Sequence, residues 1–107
     1  MNIENTKTQM LKGILEYCIL SIIQRRDVYA SEILEEFNQA ELEVVEGTIY
    51  PILTRLKNSE YLSYYWQESN SGPPRKYFKI TDAGKLFYQE LETTWKQIEL
   101  AINIINK

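Results

Sequence analysis

A chain of 107 residues is long enough for one domain and too short for two, and its 44% hydrophobic residues can build a core, which excludes a disordered chain. It has no histidine and a single cysteine, so an internal disulfide, a Cys/His transition-metal site and histidine-based catalysis are all excluded. The net charge of −3 speaks against DNA only as a total, because the charges are segregated along the sequence.

Residues 1–8 are polar and read as a mobile start, with Lys7 and Lys12 adding cations near the first helix. That helix is predicted over residues 9–25. Leu11, Ile14, Leu15, Cys18, Ile19, Ile22 and Ile23 keep the i, i+3, i+4 spacing of one apolar face. Met10, Tyr17 and Leu20 widen it, so the helix is expected to be covered on more than one side. Cys18 lies inside this run and reads as a core thiol, with a redox sensor as the alternative. The uncharged run at 17–24 is far too short to span a bilayer, and no signal peptide opens the chain, so a cytoplasmic location without membrane contact is expected.

Arg25-Arg26-Asp27 breaks the pattern, and a second helix is predicted over 29–38 with Ile33, Leu34 and Phe37 inward. From Glu32 to Glu46 every charge is acidic, which reads as a solvated face and not a phosphate contact. Leu42, Val44 and Val45 are expected to tuck into the core from the connection that follows.

The third helix, over 46–59, combines two demands. Ile49, Ile52, Leu53 and Leu56 make an inward face. Thr48, Tyr50, Pro51, Thr54, Arg55 and Lys57 fill the other positions with hydroxyls and cations and no carboxylate. Gly47 or Thr48 is the expected cap, with Pro51 in the first turn. Taken alone, the stretch fits a groove-reading helix and a bundle surface helix equally well.

Residues 61–68 alternate Leu62, Tyr64 and Trp66 against Ser63, Tyr65 and Gln67, a strand signal. Residues 69–74 form the strongest turn, and residues 75–80 return as a second strand with Phe78 and Ile80 on one face. The predicted hairpin therefore has a long polar tip beside Arg75 and Lys76. Thr81 is the expected N-cap of the last helix, with Asp82 in its first turn. Tyr88, Leu91, Trp95, Ile98, Ile102 and Ile105 then follow in steps of 3, 4, 3, 4 and 3, a heptad seam too short to be stable alone. A two-fold homodimer is expected, with Leu91, Trp95, Ile98, Ile102 and Ile105 at its interface, packing on the partner and on the exposed side of its first helix.

Three helices followed by a hairpin with a basic flank is the order of a winged helix-turn-helix. The expected fold is mainly α with a small β-hairpin, namely a winged helix-turn-helix at 1–81 and a C-terminal dimerisation helix at 82–107. In that arrangement the third helix enters the major groove of double-stranded DNA and the hairpin reaches phosphates or the minor groove. The two cationic segments fall on those two elements.

Gly47-Thr48-Ile49-Tyr50-Pro51, Arg55-Leu56, the wing Gly72-Pro73-Pro74-Arg75-Lys76-Tyr77, then Ile80-Thr81 and Gly84 resemble the PadR family of bacterial transcriptional regulators. The resemblance runs from about Met10 to the end, and the single last helix is similar to the short branch that dimerises through it. It implies a repressor of palindromic promoter DNA that needs no cofactor. It puts Thr48, Tyr50 and Arg55 on the DNA face of the third helix and Arg75 and Lys76 on the wing; Lys57 joins them as the other cation of that helix. It also puts Tyr29, the aromatic that opens the second helix, near a backbone contact.

Trp95 resembles the tryptophan that, in multidrug-responsive members, stacks on its symmetry mate and admits planar aromatic ligands. Tyr17 and Ser21 are placed by spacing toward the same space, with Glu92, Lys96 and Glu99 setting its polarity. For each residue a plainer reading stands beside this one. Arg55 could pair with Glu60 or the acidic second helix, Tyr50 could cover a helix end, and Trp95 could be interface core. A winged helix that binds protein instead of DNA is the alternative function, and no enzyme is expected.

Overall fold

The computed structural model describes residues 1–107. The order is α1 (Ile3–Lys12), α2 (Leu15–Ile23), α3 (Ala30–Gln39), α4 (Glu46–Asn58), β1 (Leu62–Ser69), β2 (Gly72–Ile80) and α5 (Asp82–Ile105). The expected first helix is two. Asn2 caps α1, its Oδ1 accepting from the Glu4 amide at 2.8 Å, so residues 3–8 of the segment expected to be mobile are helical. The chain breaks at Gly13, where the amides of Gly13 and Ile14 turn back to the carbonyls of Met10 and Leu11. Such a tight turn keeps the apolar spacing almost unchanged, so periodicity alone runs through it. α1 buries no residue, whereas α2 buries Leu15, Ile19, Leu20, Ile22 and Ile23 and is covered on several sides.

α3 and α4 end alike. The amide of Leu42 reaches the Phe37 carbonyl and that of Tyr61 the Leu56 carbonyl, both at 2.9 Å, with Glu41 and Glu60 at positive φ. These are Schellman closures. Leu42 and Val44 pack against the core, but Val45 is 69% exposed, contrary to expectation, because it is the extended N-cap of α4. Neither Gly47 nor Thr48 caps that helix. Pro51 is accordingly its sixth residue, past the first turn. Its missing N–H leaves the Gly47 carbonyl without an intrahelical donor, and Gly47 is exposed, so water can take that place.

β1 and β2 pair antiparallel with Leu62 opposite Ile80, Tyr64 opposite Phe78 and Trp66 opposite Lys76. The tip is shorter than predicted: only Asn70 and Ser71 lie between the strands, and Gly72-Pro73-Pro74 belongs to β2. A register shift between Gln67 and Ser69 absorbs the irregularity there. Val28 adds a one-residue bridge to Phe78 on the outer edge of β2.

Ile19, Ile23, Val28, Ile33, Ile49, Leu53, Leu62 and Phe78 form the centre of one core shared by α2, α3, α4 and the hairpin. Thr81 caps α5, accepting from the Gly84 amide at 3.0 Å, as predicted. Phe87, Tyr88 and Leu91 pack half-buried on that core, and the rest of α5 extends beyond it. The molecule is therefore drawn out to 53 × 32 × 22 Å. Mainly helical, with a two-stranded wing after the helix-turn-helix and a long C-terminal helix, it is a winged helix-turn-helix.

Candidate nucleic-acid interface

Ile49, Ile52, Leu53 and Leu56 are all buried, and this fixes how α4 is turned. At about 100° per residue the exposed arc of α4 has two flanks. Tyr50 and Lys57 occupy the flank toward the wing. With Thr54, Tyr64 and Lys76 they line one groove between α4 and the hairpin. Lys76 Nζ lies 4.1 Å from the centroid of the Tyr64 ring, and Lys57 Nζ lies 5.7 Å from the same ring. One aromatic ring thus gathers two cations.

Thr48 and Arg55 occupy the other flank. Thr48 lines a shallow groove with Thr8, Leu11, Lys12 and Val44. Arg55 donates to the Glu16 carboxylate of α2 at 2.7 Å. The partner foreseen for Arg55, Glu60 or the acidic helix, is replaced by a residue of α2. The structure therefore brings together Tyr50, Lys57, Arg75 and Lys76, and sets Thr48 and Arg55 on the opposite edge of the same helix.

Arg75 lies where the wing meets the start of α3. Its guanidinium carbon is 4.8 Å from the centroid of the Tyr29 ring. Tyr29, Ser31, Tyr50, Trp66, Arg75 and Lys76 surround a second groove of about 410 Å³. Tyr50 borders both grooves and so links α4 to the wing.

Ion pairs hold some of the cations and leave others free. Arg25 pairs with Glu36, Arg26 with Glu32 and Glu36, and Arg55 with Glu16. Lys57, Arg75 and Lys76 have no carboxylate partner. The acidic side of α3 is thus partly consumed by Arg25 and Arg26, while Lys57, Arg75 and Lys76 stand without a carboxylate partner at the α4–wing face. Such a surface can attract phosphate without first breaking an ion pair.

Tyr64 and Trp66 were not singled out from the sequence as interface residues. The signal was present: alternation places them on the face that carries Lys76 and Phe78, and Trp66 is 63% exposed there.

At the opposite end, Tyr17 stacks on Tyr88 with ring centroids 5.8 Å apart. The Tyr88 hydroxyl donates to Glu92 at 3.3 Å, and Ser21 Oγ donates to the Tyr17 carbonyl at 2.7 Å. Burial raises both tyrosine pKa values; for Tyr17 the neighbouring Tyr88 and then Glu92 add to it, and for Tyr88 Glu92 does. Burial also raises the Cys18 thiol, which favours the inert core thiol over the redox sensor. Tyr17 is thus brought to Tyr88, two turns before Trp95. Trp95 and Leu91 are half-buried, while Glu99, Ile98, Ile102 and Ile105 are exposed.

The family model for "Transcriptional regulator PadR-like family" matches residues 19–90, from α2 to the middle of α5. The fold recurs in a PadR-like transcription factor of Bacteroides fragilis, 52% identical over 94% of this chain and 98% of that one, with a TM-score of 0.78. A PadR-like transcriptional regulator of Bacillus cereus is 37% identical over 92% of this chain and 97% of that one, with a TM-score of 0.84. An uncharacterised protein of Lysinibacillus sphaericus is 29% identical over 92% of this chain and 93% of its own. The winged helix and the family match agree: this chain belongs to the PadR-like family of transcriptional regulators.

Proposed function

We propose that this DNA-binding regulator acts as a two-fold dimer that represses from a palindromic promoter. The observation that carries the proposal is the distal half of α5. Ile98 is 46%, Ile102 47% and Ile105 78% exposed, in line with half-buried Leu91 and Trp95. An apolar seam left in water on one chain is supplied with a cover by a second. Two recognition helices would then address half-sites about 34 Å apart. Lys57, Arg75 and Lys76 of both chains would neutralise about six phosphates, and about eight once Arg55 leaves Glu16. Thr48 and Tyr50 complete the contact set from the two flanks of α4.

The test joins assembly to binding. Light scattering on wild type should give twice the 12.7 kDa chain mass, and Ile98→Glu with Ile102→Glu should give the chain mass itself. The double variant should also lose protection of the gene's own upstream DNA. A folded monomer that still protects both half-sites would defeat the dimer reading.

Release by a planar aromatic ligand at Trp95, with Tyr17, Ser21 and Glu99 nearby, is the finer part of the proposal. Half-burial of Trp95 on the seam supports it, because a ring there would be shared between two chains. An aromatic cation such as ethidium should quench tryptophan emission in a Trp66→Phe background and lose its affinity in Trp95→Ala. Equal affinity in both proteins removes Trp95 from the mechanism.

A further inference from the structure

We propose that Tyr29 is a positioning residue for DNA binding, holding the Arg75 guanidinium over its ring so that the wing meets the phosphate backbone already ordered. The proposal rests on the reading of Arg75 as a phosphate contact.

Residues 27–29 are attached to the wing by the backbone. The Phe78 amide donates to the Val28 carbonyl at 2.7 Å, and the Val28 amide donates to the Phe78 carbonyl at 3.3 Å. Side chains alternate along extended chain. Val28 is fully buried, so Asp27 and Tyr29 lie on the outer side, beside Tyr65, Tyr77 and Arg75.

A chain of contacts then fixes the Tyr29 ring. Tyr29 meets Tyr77 in a T-shaped pair at 5.3 Å, and Tyr77 stacks on Tyr65 at 5.6 Å. The Tyr65 hydroxyl donates to Asp27 at 2.7 Å, returning to the segment that carries Tyr29. The ring is therefore held at both ends of a short loop of contacts. Its remaining partner is Arg75, at 4.8 Å from the centroid.

An arginine that stacks uses the face of its guanidinium and keeps its N–H groups on the rim, available for bidentate contact with a phosphate. Arg75 is exposed and has no carboxylate partner, so its freedom is limited chiefly by this ring. Ordering it before DNA arrives removes part of the entropy that binding would otherwise lose. Tyr29 acts here through Arg75. A direct contact from its hydroxyl to DNA is a different role and predicts different variants.

Four variants of the full chain separate the roles, with the gene's own upstream duplex as probe and affinity read by fluorescence anisotropy. Tyr29→Phe keeps the ring and should bind as wild type does. Tyr29→Leu should bind about two- to fivefold more weakly, the fold-change that corresponds to an exposed cation–π contact. Arg75→Ala should also bind more weakly, and Tyr29→Leu with Arg75→Ala no more weakly than Arg75→Ala alone. A loss of stability in Tyr29→Leu would carry into both backgrounds, so equal losses with and without Arg75 would reduce Tyr29 to a structural role and overturn the proposal. A loss in Tyr29→Phe equal to that in Tyr29→Leu would assign the hydroxyl instead. An unchanged affinity in Arg75→Ala would remove the phosphate contact itself, and the positioning role with it.

Discussion

The Arg55 guanidinium donates to Glu16 across 2.7 Å and so ties α4 to α2. Two residues further along α4, Lys57 is unpaired and turned toward the wing. The pair is largely open to water, with side-chain exposures of 62% and 39%, so its stability contribution is below about 1 kcal/mol. Its electrostatic effect on DNA is expected to be larger, because one carboxylate cancels one cation at the edge of the proposed interface. Glu16→Gln should leave thermal stability nearly unchanged and raise affinity for DNA several-fold at low salt, with the gain shrinking as salt increases. Affinity measured at two ionic strengths checks this. Weaker binding by Glu16→Gln would mean that Glu16 orients Arg55 for contact.

Gly84 is where α5 is laid against the start of the wing. A Cβ there would stand 2.1 Å from the Tyr61 carbonyl oxygen and 2.8 Å from Ile80 Cγ1. The first of these atoms is backbone and cannot swing aside. Gly84→Ala should therefore cost about 3 kcal/mol, the upper part of the overpacking range. For a domain of this size that lowers the melting temperature by roughly 15 °C at fixed protein concentration. The effect should reach DNA as well, since the Tyr61 amide closes α4 by donating a hydrogen bond to the Leu56 carbonyl. A calorimetric scan showing a shift of only a degree or two would contradict the close approach.

The two demands read in residues 46–59 are local, and for that reason they were legible. Periodicity of 3.6 and of 2 recovers α3, α4 and the strand faces, because those patterns are set by burial along one element, and the Thr81 cap marks the start of α5. It fails at Gly13, where a tight turn preserves the spacing, and at Val45, whose apolar side chain sits on an exposed cap. It overestimates the wing tip, because Gly72-Pro73-Pro74 reads as a turn while the paired register draws it into β2. The candidate site was legible only as two cationic segments. What could not be read was which cations stay free. Arg55 and Glu16 are 39 residues apart in the chain, and only the packing of α4 on α2 makes them partners. The meeting of Tyr29 with Arg75 depends in the same way on the Val28–Phe78 bridge.

Alkali should loosen the junction of α2 and α5. The Tyr17, Tyr88 and Cys18 pKa values are raised from 10.0, 10.0 and 9.0, burial being the first cause for each. A raised folded-state pKa means that the unfolded chain releases its proton first. Between the unfolded and folded values the native state holds more protons, so stability falls as pH rises. Their contribution is complete below about pH 9 and is lost progressively above it. Urea midpoints at three alkaline pH values should decline in wild type and decline less in Tyr17→Phe. A midpoint that rises with pH would contradict the burial of these groups.

Glu60 closes α4 at φ 66°, a conformation that costs an L-residue with a side chain roughly 1 kcal/mol. The position is fixed by backbone bonds on both sides. Its amide donates to the Lys57 carbonyl at 3.0 Å, and its carbonyl accepts from the Thr81 hydroxyl at 2.7 Å. A glycine would keep both bonds and remove the strain, as at the helix ends where glycine is favoured. Glu60→Gly should therefore raise stability by about 0.5–1 kcal/mol. Glu60→Ala removes the same carboxylate and keeps the Cβ, so it isolates the backbone effect from the charge. The expected order by thermal unfolding is Gly above Ala, with Ala close to wild type. Equal gains in the two variants would assign the effect to the removal of a negative charge from the C-terminal end of the α4 dipole, and no gain in either would mean that the left-handed turn at Glu60 is not strained.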